Sequence, residues 1–189
     1  MDEHRTAEER FELNTKNLVL MALLVGVGAA LYLIIPGYGE GMKPDFMLTM
    51  MFIGILLFPT FKETFLLAIT TGVLSGLFSS FPGGFVPNII DKVVTGIIFF
   101  VVVVLLRHAA QKVAVGTVLV CLGTLLSGVT FLSMALVLVG LPGDAAFGVL
   151  FATVVLPAVV LNAVAFIIIY PIITSLLKRS NFNTSVSQA

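Results

Sequence analysis

Hydrophobic positions along this chain form long unbroken runs, and the breaks between them fall at proline, glycine and charged residues. The runs cover residues 17–35, 44–58, 62–80, 88–106, 113–139 and 144–177. A membrane span takes about 20 predominantly apolar residues, so six such runs predict an all-α integral membrane protein, a compact bundle of six transmembrane helices. Local signals close the runs. Pro44 suits a first helical turn, where its missing N–H is harmless. Thr60 with Glu63, and Asn88 with Asp91, have the spacing of a capping box or its close variant. Asp144, after Pro142 and Gly143, reads as the N-cap of the last helix. The second run is short, about 22 Å at 1.5 Å per residue, and relies on its neighbours. The last is too long for one straight span, and Pro157 and Pro171 mark kinks or a protruding inner end.

The ends of the chain differ from this pattern. Residues 1–16 carry Asp2, Glu3, Arg5, Glu8, Glu9, Arg10 and Glu12, which reads as a polar cytoplasmic tail and does not fit a secretory signal. The transmembrane domain is expected over 17–178, followed by a polar C-terminal tail over 179–189.

Composition agrees with a bilayer rather than water as the solvent. Apolar residues make up 59% of the 189 positions and charged residues only 11%, against about 25% charged in a soluble domain. The formal net charge is zero, which leaves no basic field to hold nucleic acid. Cys121 is the lone cysteine and reads as packing. His4 and His108 lack the clustered ligands of a metal site, so no metal is expected. Charge becomes informative once it is divided by topology. With the N-terminus inside, Arg5, Arg10, Lys16, Lys62, Arg107, Lys112, Lys178 and Arg179 lie on the inner side, and only Lys43 and Lys92 on the outer. Eight against two is a strong positive-inside bias and predicts both termini in the cytoplasm. The outer side adds Glu40, Asp45, Asp91 and Asp144, for a balance of two positives against four negatives.

Catalytic signatures are missing from the sequence. Gly37-Tyr38-Gly39-Glu40-Gly41 leads into no phosphate cradle, and neither a nucleophile elbow nor a zincin helix occurs, so no enzymatic activity is expected. The polar residues in or beside spans are the functional candidates. Asp45, Asp91 and Asp144 read equally as helix-dipole caps and as ligands. Lys92 reads as functional, because a lysine one turn inside a helix N-terminus opposes the dipole. Near these charges stand Tyr38, Phe46, Phe81, Phe85, Phe147 and Phe151, with Met42, Met47, Met50 and Met134. Together they suit an apolar pocket with a polar rim for a small zwitterion bearing a flat side chain. Asn162, 18 residues past Asp144 or about 27 Å along a helix, is expected near the inner leaflet as an interhelix hydrogen bond. Thr95, Thr130 and Thr153 are weaker candidates that can equally bond their own helices. On the first helix Ala22, Gly26 and Ala30 share one face as a small-residue seam, and Gly72 and Gly76 repeat the spacing on the third.

A cytosolic start, six short helices in under 200 residues, the small-residue face of the first helix and no ATPase motif resemble the substrate-binding S components of energy-coupling factor transporters. The stretches Gly41-Met42-Lys43-Pro44-Asp45-Phe46, Gly54-Ile55-Leu56-Leu57-Phe58-Pro59 and Phe81-Pro82-Gly83-Gly84-Phe85-Val86-Pro87-Asn88-Ile89-Ile90-Asp91-Lys92 are similar, more narrowly, to the bacterial tryptophan-transport S components. The resemblance covers about residues 17–178. It implies capture of tryptophan at the outside of a bacterial cell membrane and release inside by toppling. A transmembrane coupling subunit and two cytoplasmic ATPases drive that release, and ATP is hydrolysed by them, with no cofactor in this chain. It further implies docking on the coupling subunit through Ala22, Gly26 and Ala30, and a lid over residues 36–43.

No residue-level site comes with the resemblance, and the candidate set rests on chemistry: Lys43, Phe46, Phe81, Asn88, Asp91, Lys92, Phe147 and Phe151. Lys43 or Lys92 would hold the substrate carboxylate, and Asp91, Asp45 or Asp144 its ammonium. Phe46, Phe81, Phe147 or Phe151 would face the indole. An unpartnered buried charge is costly, so the empty site is expected to pair its own lysine and aspartate. The alternative is a self-sufficient secondary carrier for a small aromatic or vitamin-like solute. Inverted repeats would mark such a carrier, and none stands out between the halves.

Overall fold

A computed structural model describes residues 15–35, 45–141 and 146–179; the described residues are almost wholly helical, with no strand among them. In chain order the helices are α1 (Thr15–Ile34), α2 (Phe46–Leu57), α3 (Phe61–Leu77), α4 (Phe85–Leu106), α5 (Val113–Leu138) and α6 (Phe147–Arg179), with a 3₁₀ turn at Arg107–Gln111 joining α4 to α5. Four of them, α1, α4, α5 and α6, are long and apolar enough to cross a membrane.

The short α2 is the centre of the molecule. Its 12 residues, FMLTMMFIGILL, are all buried. A helix apolar on every side belongs in a core, and at about 18 Å it has no bilayer to span alone because its neighbours surround it. Phe52 of α2 stacks on Phe99 of α4 with ring centroids 4.2 Å apart. Asp45 is the N-cap of α2, its carboxylate accepting from Leu48 N at 2.9 Å. Thr60 caps α3 by accepting from Glu63 N at 3.4 Å. Only half of the expected box forms there: Thr60 N donates to Phe58 O, and the Glu63 carboxylate accepts from Asn17 instead.

Small residues set how closely the helices approach. On α3 a Cβ at Gly72 would lie 2.9 Å from the Ile89 Cα, and one at Gly76 would lie 2.9 Å from the Phe85 carbonyl. The α3 seam is therefore filled by the α4 backbone. On α1 the inward glycine is Gly28, where a Cβ would meet Met50 and the Phe46 carbonyl at 3.1 Å. Ala22, Gly26 and Ala30 all face away and are exposed, and a Cβ at Gly26 would meet nothing within 4 Å.

One expectation changes. Helix α4 begins at Phe85, three residues before the expected Asn88 cap. Gly84 O accepts both the Asn88 backbone N–H (3.0 Å) and Asn88 Nδ2 (2.7 Å), and Pro87 falls in the first turn, where no intrahelical donor is needed. Asn88 is thus inside the helix, and Asp91 and Lys92 stand two turns in, beyond reach of a capping role. In α6 both prolines lie inside the helix. Pro157 lacks the N–H that would reach Thr153 O, and a π-helical turn, Phe151–Val155, lies over that break. Past Pro171, Thr174 Oγ1 donates to the Tyr170 carbonyl at 3.0 Å. With 33 residues, α6 runs about 50 Å, far longer than α2.

Candidate functional site

Two polar stripes at helical spacing meet across the bundle. On α4, Asn88, Asp91, Lys92 and Thr95 repeat at i, i+3, i+4 and i+7; on α5, Thr124, Ser127, Gly128 and Phe131 do the same. All four of the α4 set are buried, as are Thr124 and Ser127. Between the stripes lies an ion cluster. Lys92 Nζ is 2.9 Å from Asp45 Oδ2 and 2.8 Å from Asp91 Oδ2. Ser127 Oγ donates to Asp91 Oδ2 at 2.7 Å, and Thr95 Oγ1 donates to Asp91 Oδ1 at 3.0 Å. Asp91 is 0% exposed and Lys92 2%. Such a charge pair is tolerable away from water only when every partner is in place, and here hydroxyls of α4 and α5 complete the shell.

The cluster is the floor of a cavity of about 410 Å³, within the size range of small-molecule sites. Asp45, Met47 and Leu48 of α2 line it, with Tyr32 of α1 and Ser75 of α3. Ser79, Ser80, Phe81 and Pro82 enter from the α3–α4 loop, and Leu150, Val154, Val155, Ala158 and Asn162 from α6. The loop folds inward through Gly83, whose φ of +68° suits glycine and whose Cα packs against Val139 at the end of α5. That turn carries Phe81 onto Phe131, edge to face, with centroids 5.2 Å apart and planes at 83°. The result is an aromatic wall beside a charged floor. Val154 and Val155 of the α6 π turn also line the cavity.

Of the candidates read from sequence, the structure gathers Phe81, Asn88, Asp91 and Lys92, together with Asp45, around one cavity. Phe46 is buried at the start of α2, and neither it nor Phe147 nor Phe151 is among the lining residues. Lys43, Asp144 and the 36–43 segment lie outside the described residues. Asn162 makes the interhelix hydrogen bond expected of it and in addition lines the cavity. It is fully buried, accepts from Asp45 N at 2.8 Å and donates to Thr124 Oγ1 at 3.3 Å, so it stands at the cavity floor. Asn162 lies about 22 Å along α6 from Phe147, so the contact with Asp45 sets the start of α2 beside the middle of α6 rather than beside its first turn. Tyr32, Ser127 and Phe131 were missed altogether. The α5 stripe was the available signal for two of them, since it mirrors the stripe on α4. Among the described residues no cluster of His, Cys, Asp and Glu fit to hold a metal is present.

An apolar helical bundle with membrane-length helices and a cavity of mainly apolar lining, furnished with opposite charges and an aromatic wall, defines a membrane protein that handles a small molecule. The chain belongs to the TrpP family of tryptophan transporters, whose profile matches residues 14–178. Relatives agree along nearly their whole length. A probable tryptophan transport protein of Bacillus subtilis is 52% identical over 170 residues, covering 90% of this chain and 97% of that protein. Proteins of the same name from Clostridium perfringens and Clostridium acetobutylicum are 37% and 40% identical, covering 89% and 84% of this chain and 96% and 91% of those proteins. No solved structure matches the chain.

Proposed function

We propose that this protein is the substrate-capture subunit of an energy-coupling factor importer, which binds tryptophan at the outer face of a bacterial membrane. The observation that carries the substrate is the cavity itself: the buried Lys92–Asp91 pair with the partly exposed Asp45, and the Phe81–Phe131 pair in the same lining, offer opposite charges to a zwitterion and an aromatic surface to an indole. The names of the relatives support the same solute. In this reading both termini are cytoplasmic, as the distribution of basic residues favours, and the cavity opens outward.

The capture role is supported by what the chain leaves uncovered. Ala22, Gly26 and Ala30 form a small-residue face on α1 that is exposed among the described residues, fit for the close approach of a coupling subunit's helix. Two cytoplasmic ATPases on that subunit supply the energy, and this chain performs no catalysis. Titrating the purified protein with tryptophan by calorimetry should give saturable one-site binding without any partner. Absence of binding, alongside clear binding of a vitamin, rejects the substrate. Ion-driven tryptophan uptake into liposomes holding this chain alone rejects the capture role.

A further inference from the structure

The ion cluster is unbalanced, and its two signs are not equally accessible. One ammonium serves two carboxylates. Lys92 has three protons to give, and three acceptors surround it: Asp45 Oδ2 at 2.9 Å, Asp91 Oδ2 at 2.8 Å and, more weakly, Ser127 Oγ at 3.4 Å. Its side chain is 3% exposed, whereas that of Asp45 is 29% exposed. A carboxylate has about four lone-pair sites, and Asp45 commits one oxygen to Leu48 N and the other to Lys92. Capacity remains on Asp45, the most exposed of the three charged groups that line the cavity. Lys92, in contrast, is almost fully buried and already holds two carboxylates, so a ligand carboxylate would meet two groups of its own sign beside it.

We propose that the cavity selects its ligand by the ammonium group, with Asp45 as the receptor, so that indole-bearing primary amines with no carboxylate are ligands as well as the amino acid. This rests on the cavity being the tryptophan site. Lys92 is then a positioning residue: it holds Asp45 and Asp91 together and offers nothing directly to the ligand. Among the described residues the donors on the cavity wall other than Lys92 are uncharged, Ser79 and Ser80 among them. A substrate carboxylate placed there gains hydrogen bonds but no opposite charge, whereas the ammonium meets the Asp45 carboxylate. The assignment differs from the expectation that a lysine takes the carboxylate.

Three ligands differing only in the head group decide the matter on the unaltered full-length protein, by calorimetry at neutral pH. Tryptophan has both charges, tryptamine keeps the ammonium alone, and indole-3-propionate keeps the carboxylate alone. Tryptamine should bind within about tenfold of tryptophan and indole-3-propionate about 100-fold more weakly, as the loss of a charge-assisted contact predicts. The reverse order, with tryptophan still bound, overturns the ammonium assignment and leaves the tryptophan site standing. Failure of tryptophan itself to bind overturns both. Asp45→Asn is the second readout, because asparagine caps a helix as well as aspartate and the fold is retained. It should weaken tryptophan and tryptamine by a similar factor with little change in the unfolding midpoint. Undiminished affinity in that folded variant also overturns the proposal.

Discussion

Helices α1 and α3 carry the same sequence device and use it in opposite ways. Each has small residues four apart, Ala22-Gly26-Ala30 on one and Gly72-Gly76 on the other. On α3 the device is consumed within the chain, with α4 so close that a single added carbon at Gly72 would lie 2.9 Å from a backbone atom. On α1 it lies bare, and an added carbon at Gly26 would touch nothing. Spacing alone therefore tells that a helix can be approached closely, and only packing tells by whom. The difference also divides the work of the molecule. The α3–α4 contact fixes the helix that carries Asp91 and Lys92, whereas the outward face of α1 contributes nothing to the cavity.

The sharpest way to probe the packed side is through the charges it shelters. Lys92→Met keeps length and apolar bulk but leaves Asp45 and Asp91 facing one another without their cation. Stripping one partner from a buried pair costs about 3–5 kcal/mol, and denaturant unfolding of the detergent-solubilised variant should show a loss of that order. A change below about 1 kcal/mol, the range of exposed pairs, would mean that water already reaches the cluster. Next in size is the seam itself. Gly72→Val forces side-chain carbons against Ile89, and overpacking of this kind costs about 1–3 kcal/mol. If its unfolding midpoint matched that of the parent, the α3–α4 approach would be looser than 2.9 Å implies, and the contrast with α1 would collapse.

The sequence made the helices legible and the cavity only half so. Runs of apolar residues bounded by Pro, Gly and Thr60 placed all six helices to within a few residues, because a low-charge chain leaves few places to break. Helix α4 was entered three residues late, since Asn88 and Asp91 mimic a capping box while Pro87 marks the real first turn. The charges were found because ionisable residues are rare in such a chain. Their neighbours were not, for a different reason. Ser127 and Phe131 look like ordinary membrane-helix residues until α5 is placed opposite α4, and Asn162 looks deep until α2 is known to begin deep as well. Tertiary pairing between helices of unequal length is not written in any one run. The aromatic wall shows the same limit: among 16 Phe, only the fold of the Gly83 turn selects Phe81 and its partner.

The smallest expected effect on stability carries the most functional content. Gly26→Leu adds bulk to the exposed face of α1, where an added carbon would meet no described residue outside the helix's own neighbouring backbone within 4 Å. Substitutions at exposed sites away from special features usually change stability by within about 0.5 kcal/mol, so unfolding should be nearly unaltered. Tryptophan titration should likewise match the parent, because Gly26 points away from every residue of the cavity floor. Uptake by cells that express the coupling subunit and ATPases should nevertheless fall to background, since a leucine side chain keeps a partner helix from the close approach that a small-residue face permits. Normal uptake by Gly26→Leu, and by the triple variant with Ala22→Leu and Ala30→Leu, would remove α1 from the docking role. The two stripes would then differ in exposure alone, and the partner surface would have to be sought on another face of the bundle. Loss of uptake with binding and stability intact would instead separate capture from delivery on two faces of one small chain.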